Sequence, residues 1–447
     1  MNEHAVLLAL ALLACPSCAP PATSAQPPQP PTQRPDPPAA DPNPVDVETQ
    51  KKIQDALRHV GRMRDLPILG DVTGRVIDRP TMLRQVKEQV RSQVPPDAIR
   101  GESAFLTAFG FIPEGFDYEA EVYRLIESQL AGYYDPDRKT LFLMADLSGP
   151  EAEVTLAHEL VHALQDQHYD LGPRLKYRQD ASDAQAAIHC LAEGDATSLM
   201  LDYTLEEAGV QAFRIPDEQL RLEISASMAL APDVASFPRV LRESLLAPYV
   251  DGVLFVHALR RQGGWPLVDR VWRDPPATTE QVLHMDKLAA REPAEQVPLP
   301  SAPSGPAWVV LHTDGYGEQG LRIAFEEWLP RRAAARAAAG WAGDRAVVWE
   351  HRDLGVTVAA WRVRFDPSDQ DAAREATEAF DLVASSWDQK GSPVPCREIP
   401  GGRHIALARN GRNLAFVAGR PATVHDLPGL SGCAQLGAWA TAIASQK

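Results

Sequence analysis

His158-Glu159-Leu160-Val161-His162 sets two imidazoles four residues apart with a carboxylate beside the first. On a helix this spacing stacks both rings on one face, one turn apart, and an HExxH unit so arranged is a zinc site with a built-in general base. His158 and His162 are the candidate ligands and Glu159 the candidate base. Two histidines do not complete a tetrahedral site, because catalytic zinc takes three protein ligands and leaves the fourth position to water. Glu193, 31 positions after His162, and His189, one helical turn before Glu193, are the candidates for the third.

The surrounding sequence predicts the helices that must carry these groups. Ser148-Gly149-Pro150-Glu151 offers a small polar start, a first-turn proline and an acid suited to the positive end of a helix. From there Val154, Ala157, Val161 and Leu164 form an apolar stripe with His158, His162 and Gln165 beside it, and Gly172-Pro173 marks a stop after His168. A second helix should hold Glu193, opened by Ser182 and Gln185 spaced as a capping box and closed by Gly209. Packed antiparallel to the first, it would bring Glu193 opposite the histidines.

HExxH followed at a distance by Glu193-Gly194-Asp195-Ala196 resembles the gluzincin zinc metallopeptidases, in particular their bacterial collagenase-like branch. The resemblance implies His158, His162 and Glu193 as ligands of Zn2+ and Glu159 as general base. It also implies peptide or protein substrates. The thermolysin-type pattern departs at Thr197, where an aspartate is common, so the partner that orients the histidines is unassigned and Asp195 is the substitute candidate.

Peptide hydrolysis also needs a donor for the oxyanion that forms at the attacked carbonyl. Pro248-Tyr249-Val250-Asp251-Gly252 is similar to the Pro-Tyr-x-x-Gly element of gluzincin aminopeptidases, which implies Tyr249 as that donor. A plain amphipathic tyrosine at a helix start is the competing reading, and His284 is a second donor candidate. Val253, Val256 and Leu259 continue at helical spacing up to a stop at Gly263-Gly264. Upstream, Ala131 to Leu143 reads as strand, Asp-Pro turn and strand. In zincin folds an edge strand above the metal helix pairs with extended substrate, and Thr140 to Leu143 is the expected segment, a structural hairpin being the alternative.

The whole chain bounds these readings. Its 447 residues, 45% hydrophobic, suffice for two or three cores, and a net charge of -16 argues against nucleic-acid binding. Ala5 to Ala14 is an unbroken apolar run, and Leu12-Leu13-Ala14-Cys15 resembles a bacterial lipobox although no Lys or Arg precedes it; Cys18 is the poorer alternative. That resemblance implies export, and anchoring in the bacterial cell envelope through a lipid on Cys15 as the protein's membrane contact. Residues 19–44, crowded with proline and alanine, read as a disordered tether. Cys396 and Cys433 are a plausible disulfide in an exported chain, and Cys190 is expected to be a small buried residue.

The expected fold is α+β: a mainly helical zincin-like metallopeptidase domain over 45–300 with a small strand layer, then a smaller α+β unit over 301–447. Helices are predicted from Val45 to Met63, Thr81 to Val94 and Asp117 to Leu130. After the proline-rich stretch 298–306 come a helical Arg331 to Ala339, then Gly340 to Arg345, read as a tryptophan packed tightly between glycine turns in preference to a binding loop, strands at Ala346 to Trp349 and Val356 to Phe365, and a helix from Ser368 to Ser385. A hairpin follows over Asn410-Gly411. The alternative to a peptidase is a non-catalytic envelope lipoprotein whose metal site is structural or vestigial. A hydrolase acting on another amide or an ester is a third reading.

Overall fold

The computed structural model describes residues 44–447 except 130, 147–148, 230–235, 306, 368–372, 388–394, 422 and 425–429. The leader (1–18) and all but the last residue of the tether lie outside the described residues. In order come α1 (Val47–Arg64), β1 (Thr73–Ile77), α2 (Arg79–Gln93), α3 (Pro96–Ala108), α4 (Tyr118–Gln129), β2 (Gly132–Asp135), β3 (Thr140–Met144), α5 (Pro150–Tyr169), α6 (Leu171–Leu175), α7 (Ser182–Thr204), α8 (Asp217–Ala229), α9 (Arg239–Arg273), α10 (Thr279–Leu283) and α11 (Met285–Ala290). Then follow β4 (Trp308–Asp314), α12 (Gly317–Glu326), α13 (Arg331–Ala338), β5 (Trp341–His351), β6 (Thr357–Phe365), α14 (Arg374–Ser386), β7 (Cys396–Ile399), β8 (Arg403–Asn410), β9 (Asn413–Ala418) and α15 (Cys433–Ala444). The fold is α+β, mostly helical, with a small strand layer before the metal-motif helix and a sheet-containing C-terminal unit.

Capping and periodicity account for the first helices. Asp46 and Asp78 accept from the Thr49 and Thr81 amides at the starts of α1 and α2. Ile53, Leu57, Val60 and Arg64 follow one another at helical spacing on the buried face of α1. The first sheet has the order β1-β3-β2, with β1 parallel and β2 antiparallel to β3. Thr140 to Leu143, expected at an edge, is therefore the central strand, and β2 is the edge strand beside it. The parallel partner β1, whose Gly-containing Thr73–Ile77 carries no strong alternation, makes the difference.

Three long helices form the body behind this sheet. α5 begins at Pro150 and ends at Tyr169, as the start and stop signals predict, and Gly172-Pro173 falls in the separate short α6. α7 holds Glu193, but the expected capping box is absent: the Ser182 hydroxyl donates to Asp314 of the C-terminal unit, and Gln185 turns to Lys176 and Arg178 of the preceding loop. α7 ends at Thr204, and Gly209 instead closes a one-turn 3-10 helix at φ 65. α9 starts ten residues before Tyr249, and helical geometry breaks at Gly263-Gly264 as expected, with Gly264 at φ 62; a second helical stretch follows directly to Arg273 and buries Trp272.

α7 and α9 touch backbone to backbone. A Cβ on Gly194 would stand 2.1 Å from the Gly252 carbonyl oxygen, so neither helix tolerates a side chain at the crossing. This contact brings the Glu193 region of α7 against the Tyr249 region of α9.

The C-terminal sheet is antiparallel throughout, in the order β4-β5-β6-β9-β8-β7. Period-2 alternation assigns its two faces: Val347, Trp349, Val358 and Val417 pack on α15, while Val348, Trp361, Val363 and Phe416 face the other way. That second face shares one apolar cluster with Phe105, Tyr118 and Phe142, so core packing runs without interruption across residue 300. Trp341 is tightly packed as expected, buried with its indole donating to Asp344, but 341–345 form the start of β5 and not glycine turns or a binding loop. The Asn410-Gly411 hairpin joins β8 to β9. A disulfide links Cys396 of β7 to Cys433 at the start of α15. Among the described residues, no helix is long and apolar enough to cross a membrane.

Candidate metal centre

His158, His162 and Glu193 converge from α5 and α7, the one group of its kind among the described residues. His158 Nε2 lies 3.1 Å from His162 Nε2 and 3.4 Å from Glu193 Oε2, and the latter is 4.0 Å from His162 Nε2. Zinc bonds of about 2.1 Å at tetrahedral angles set ligand atoms about 3.4 Å apart, so the three donors stand at the spacing such an ion requires. Two imidazoles and one carboxylate are also a zinc-type donor set.

Electrostatics favour the ligand form of His158. Burial holds His158 down at about 3, only partly offset by the acceptor oxygen of Glu193, so its ring is neutral. Burial raises Glu193 above the usual carboxylate range, and His158 pulls it back down in part. A bound dication would offset the burial that disfavours the Glu193 anion.

Glu159 is also fully buried, next to His158 in sequence. Burial raises its carboxyl well above the ordinary range, reinforced by the charge of Glu193 and opposed by the Tyr134 main chain. Tyr134 belongs to β2, so the edge strand lies against the helix at the candidate base. If extended substrate pairs with this sheet beside the metal helix, the strand placed to receive it is Gly132–Asp135 and not Thr140–Leu143.

A relay of side chains backs His162. Its Nδ1 is 2.8 Å from Oε1 of Gln165, whose Nε2 donates to the Ala192 carbonyl at 3.0 Å and lies 3.3 Å from Asp195 Oδ2. Asp195 in turn receives Arg64 Nε at 2.6 Å, Arg64 Nη2 at 3.1 Å and the Trp272 indole at 2.8 Å, all buried. Asp195, the substitute partner from sequence, thus supports the histidine at one remove through Gln165. Gln165 sits three residues after His162, which is the sequence signal for it; Arg64 and Trp272 carry no local signal.

Tyr249 is brought to the cluster, its ring 6.3 Å from that of His158 and nearly parallel to it. It sits in the interior of α9, not at a helix start, because ten upstream residues also turn helically. A cavity of about 220 Å³ opens beside the two rings, lined further by Thr197, Met200 and Leu201 of α7 and Leu220, Glu223 and Ile224 of α8. Its walls are mainly apolar. No motif announced these residues, since α8 contributes them through tertiary packing.

Other candidates are placed elsewhere. His189 is buried and held down at about 4 by desolvation, but it is outside the converging group. His284 pairs with Glu318 at 2.9 Å and does not line the cavity. Cys190 is fully buried as expected, with its sulfur 3.3 Å from the Gln319 amide.

Residues 309–430 match a family described as a domain of unknown function, DUF8575. The match covers most of the C-terminal sheet and none of the residues of the metal centre. No curated protein and no solved structure matches the chain.

Proposed function

We propose that this protein is a zinc-dependent peptidase with His158, His162 and Glu193 as metal ligands, Glu159 as general base and Tyr249 as oxyanion donor. The observation that carries this reading is the convergence of three donors, 3.1 to 4.0 Å apart, from two separate helices, with a further buried carboxylate on the same helix as two of them. A structural zinc site normally closes with four protein ligands; among the described residues three meet here, which favours an open coordination position over the structural alternative.

Zinc in such a site acts as a Lewis acid and makes water nucleophilic near neutral pH. The chain's own groups do the rest. Glu159 takes the proton of the attacking water and delivers it to the leaving amine, and its raised pKa suits both the accepting and the releasing step. Tyr249 donates to the carbonyl oxygen as charge builds on it. The apolar cavity seats a substrate side chain next to the scissile bond, and β2 offers main-chain pairing to an extended peptide.

The setting we infer is the bacterial envelope, with the protein exported and lipid-anchored. The apolar run ending at Cys15 supports this, and so does the Cys396–Cys433 disulfide, which belongs to an oxidising compartment.

The test pairs metal analysis with cleavage of a mixed peptide library. Wild type is expected to hold one zinc per chain and to cleave in a chelator-sensitive manner; Glu159→Gln is expected to keep the zinc and lose turnover. Wild-type protein without zinc, or Glu159→Gln at full rate, overturns the reading.

A further inference from the structure

Asp251 lies two positions after Tyr249 in α9 and is buried. Its carboxylate takes three donors from α12 of the C-terminal unit: Arg322 Nη1 at 3.1 Å, Arg322 Nη2 at 2.5 Å and Gln319 Nε2 at 2.9 Å. Arg221 of α8 stands 3.5 Å from the same carboxylate. The Gln319 amide also reaches the sulfur of Cys190 in α7, three residues before Glu193. One acidic side chain thus joins the helix of Tyr249, the helix that walls the cavity and the C-terminal unit.

The position of this junction gives it leverage. Asp251 adjoins Gly252, which is packed against Cys190 and Gly194 so closely that a Cβ there would stand 2.2 Å from the Cys190 carbonyl oxygen. Glu193 and Tyr249 therefore take their relative placement from a crossing whose one side is clamped by α12. Burial by itself would raise the Asp251 carboxyl, but the Arg322 guanidinium overrides that and holds it below its usual range. Removing the guanidinium leaves a buried charge uncompensated, which is far more disruptive than losing an exposed pair. Arg221 is partly exposed and cannot replace two short bonds with one long contact.

We propose that the C-terminal unit is a positioning element of the hydrolytic site, in which Arg322 and Gln319 of α12 set Tyr249 and the α8 wall of the cavity through Asp251. The inference rests on the peptidase reading above. It gives the sheet-bearing unit a role that requires no contact with substrate, and it makes Arg322, Gln319 and Asp251 positioning residues.

The test is a double-mutant cycle on the full chain, scored by zinc content, kcat and KM. Arg322→Gln is expected to keep one zinc per chain and lower kcat at least about tenfold, Arg322→Lys to recover much of that loss, and Tyr249→Phe to cost little more in the Arg322→Gln background than Arg322→Gln alone. Multiplicative losses, wild-type kcat in Arg322→Gln, or a silent Tyr249→Phe overturn the proposal. Should Arg322→Gln fail to fold, Gln319→Ala leaves the ion pair in place and enters the same cycle with the same criteria. Absence of zinc and cleavage in wild type defeats the peptidase reading itself; active wild type with an indifferent Arg322 defeats only this inference.

Discussion

Gln165 holds His162 in one tautomer. Its Nε2 faces the Ala192 carbonyl, which can only accept, so its Oε1 must face His162 Nδ1 and accept a hydrogen bond from that nitrogen's N–H. Nε2 of His162 is then left as the lone-pair donor, pointing to His158 and Glu193. Gln165→Leu keeps the volume and deletes the acceptor. It is expected to weaken zinc binding about 10–100-fold, read by competition with a chromophoric chelator. Unchanged affinity removes Gln165 from the metal centre.

The two candidates for the third ligand separate cleanly by metal content. Glu193→Ala is expected to fall well below one zinc per chain after dialysis, whereas His189→Ala, outside the converging group, keeps the wild-type amount. Mass-spectrometric zinc analysis of the folded variants decides it, and the opposite pattern exchanges their roles.

The cavity between α7 and α8 makes a statement about substrates. With Met200, Leu201, Leu220 and Ile224 in its lining, it favours an apolar side chain beside the scissile bond. Met200→Trp fills that space. It is expected to lower kcat/KM for peptides carrying Phe or Leu there by about tenfold or more, and to change those carrying Ala or Gly far less. Equal losses across the library disprove a side-chain pocket.

The seam between α7 and the C-terminal sheet should prefer acid. Asp314 is fully buried, with the Ser182 hydroxyl 2.5 Å away, and burial pushes its carboxyl up to about 7 against an ordinary value of 3.8. The folded state therefore binds a proton that the unfolded state has lost, so the stabilisation is complete below about pH 4 and disappears as pH rises through about 7. Asp183 and Glu280 are pushed the same way, to about 7 and about 8, chiefly by burial. Thermal melts are expected to show a higher Tm at pH 5 than at pH 8, with a smaller difference in Asp314→Asn. An identical pH slope in that variant refutes the assignment.

How far the sequence reached depends on the range of each signal. The start and end of α5, the presence of a helix over Glu193 and the β8–β9 hairpin all rest on spacing or chemistry within a short stretch, and the structure has them, whereas the Cys396–Cys433 pairing, 37 residues apart, was decided by the fold. The Ser182–Gln185 cap failed because both side chains found partners outside their own helix, in Asp314 and in the 176–178 loop. The stop at Gly263-Gly264 holds, since both glycines leave helical geometry there, although a second helical stretch follows at once and runs to Arg273. Thr140 to Leu143 failed as an edge because the strand that covers it comes from Thr73–Ile77, more than sixty residues away.

Alone, the order of residues settled which helix carries the two imidazoles and the adjacent acid, since a spacing of four fixes a shared face through the helical repeat itself. Only the tertiary structure decided that Glu193 and not His189 meets those rings, that Gln165, Asp195 and Arg64 stand behind them, and that α12 grips Asp251. Such choices depend on how one helix is rotated against another. At the α7–α9 crossing that rotation is set by two glycines on different helices, and no local pattern encodes a contact between residues 58 positions apart.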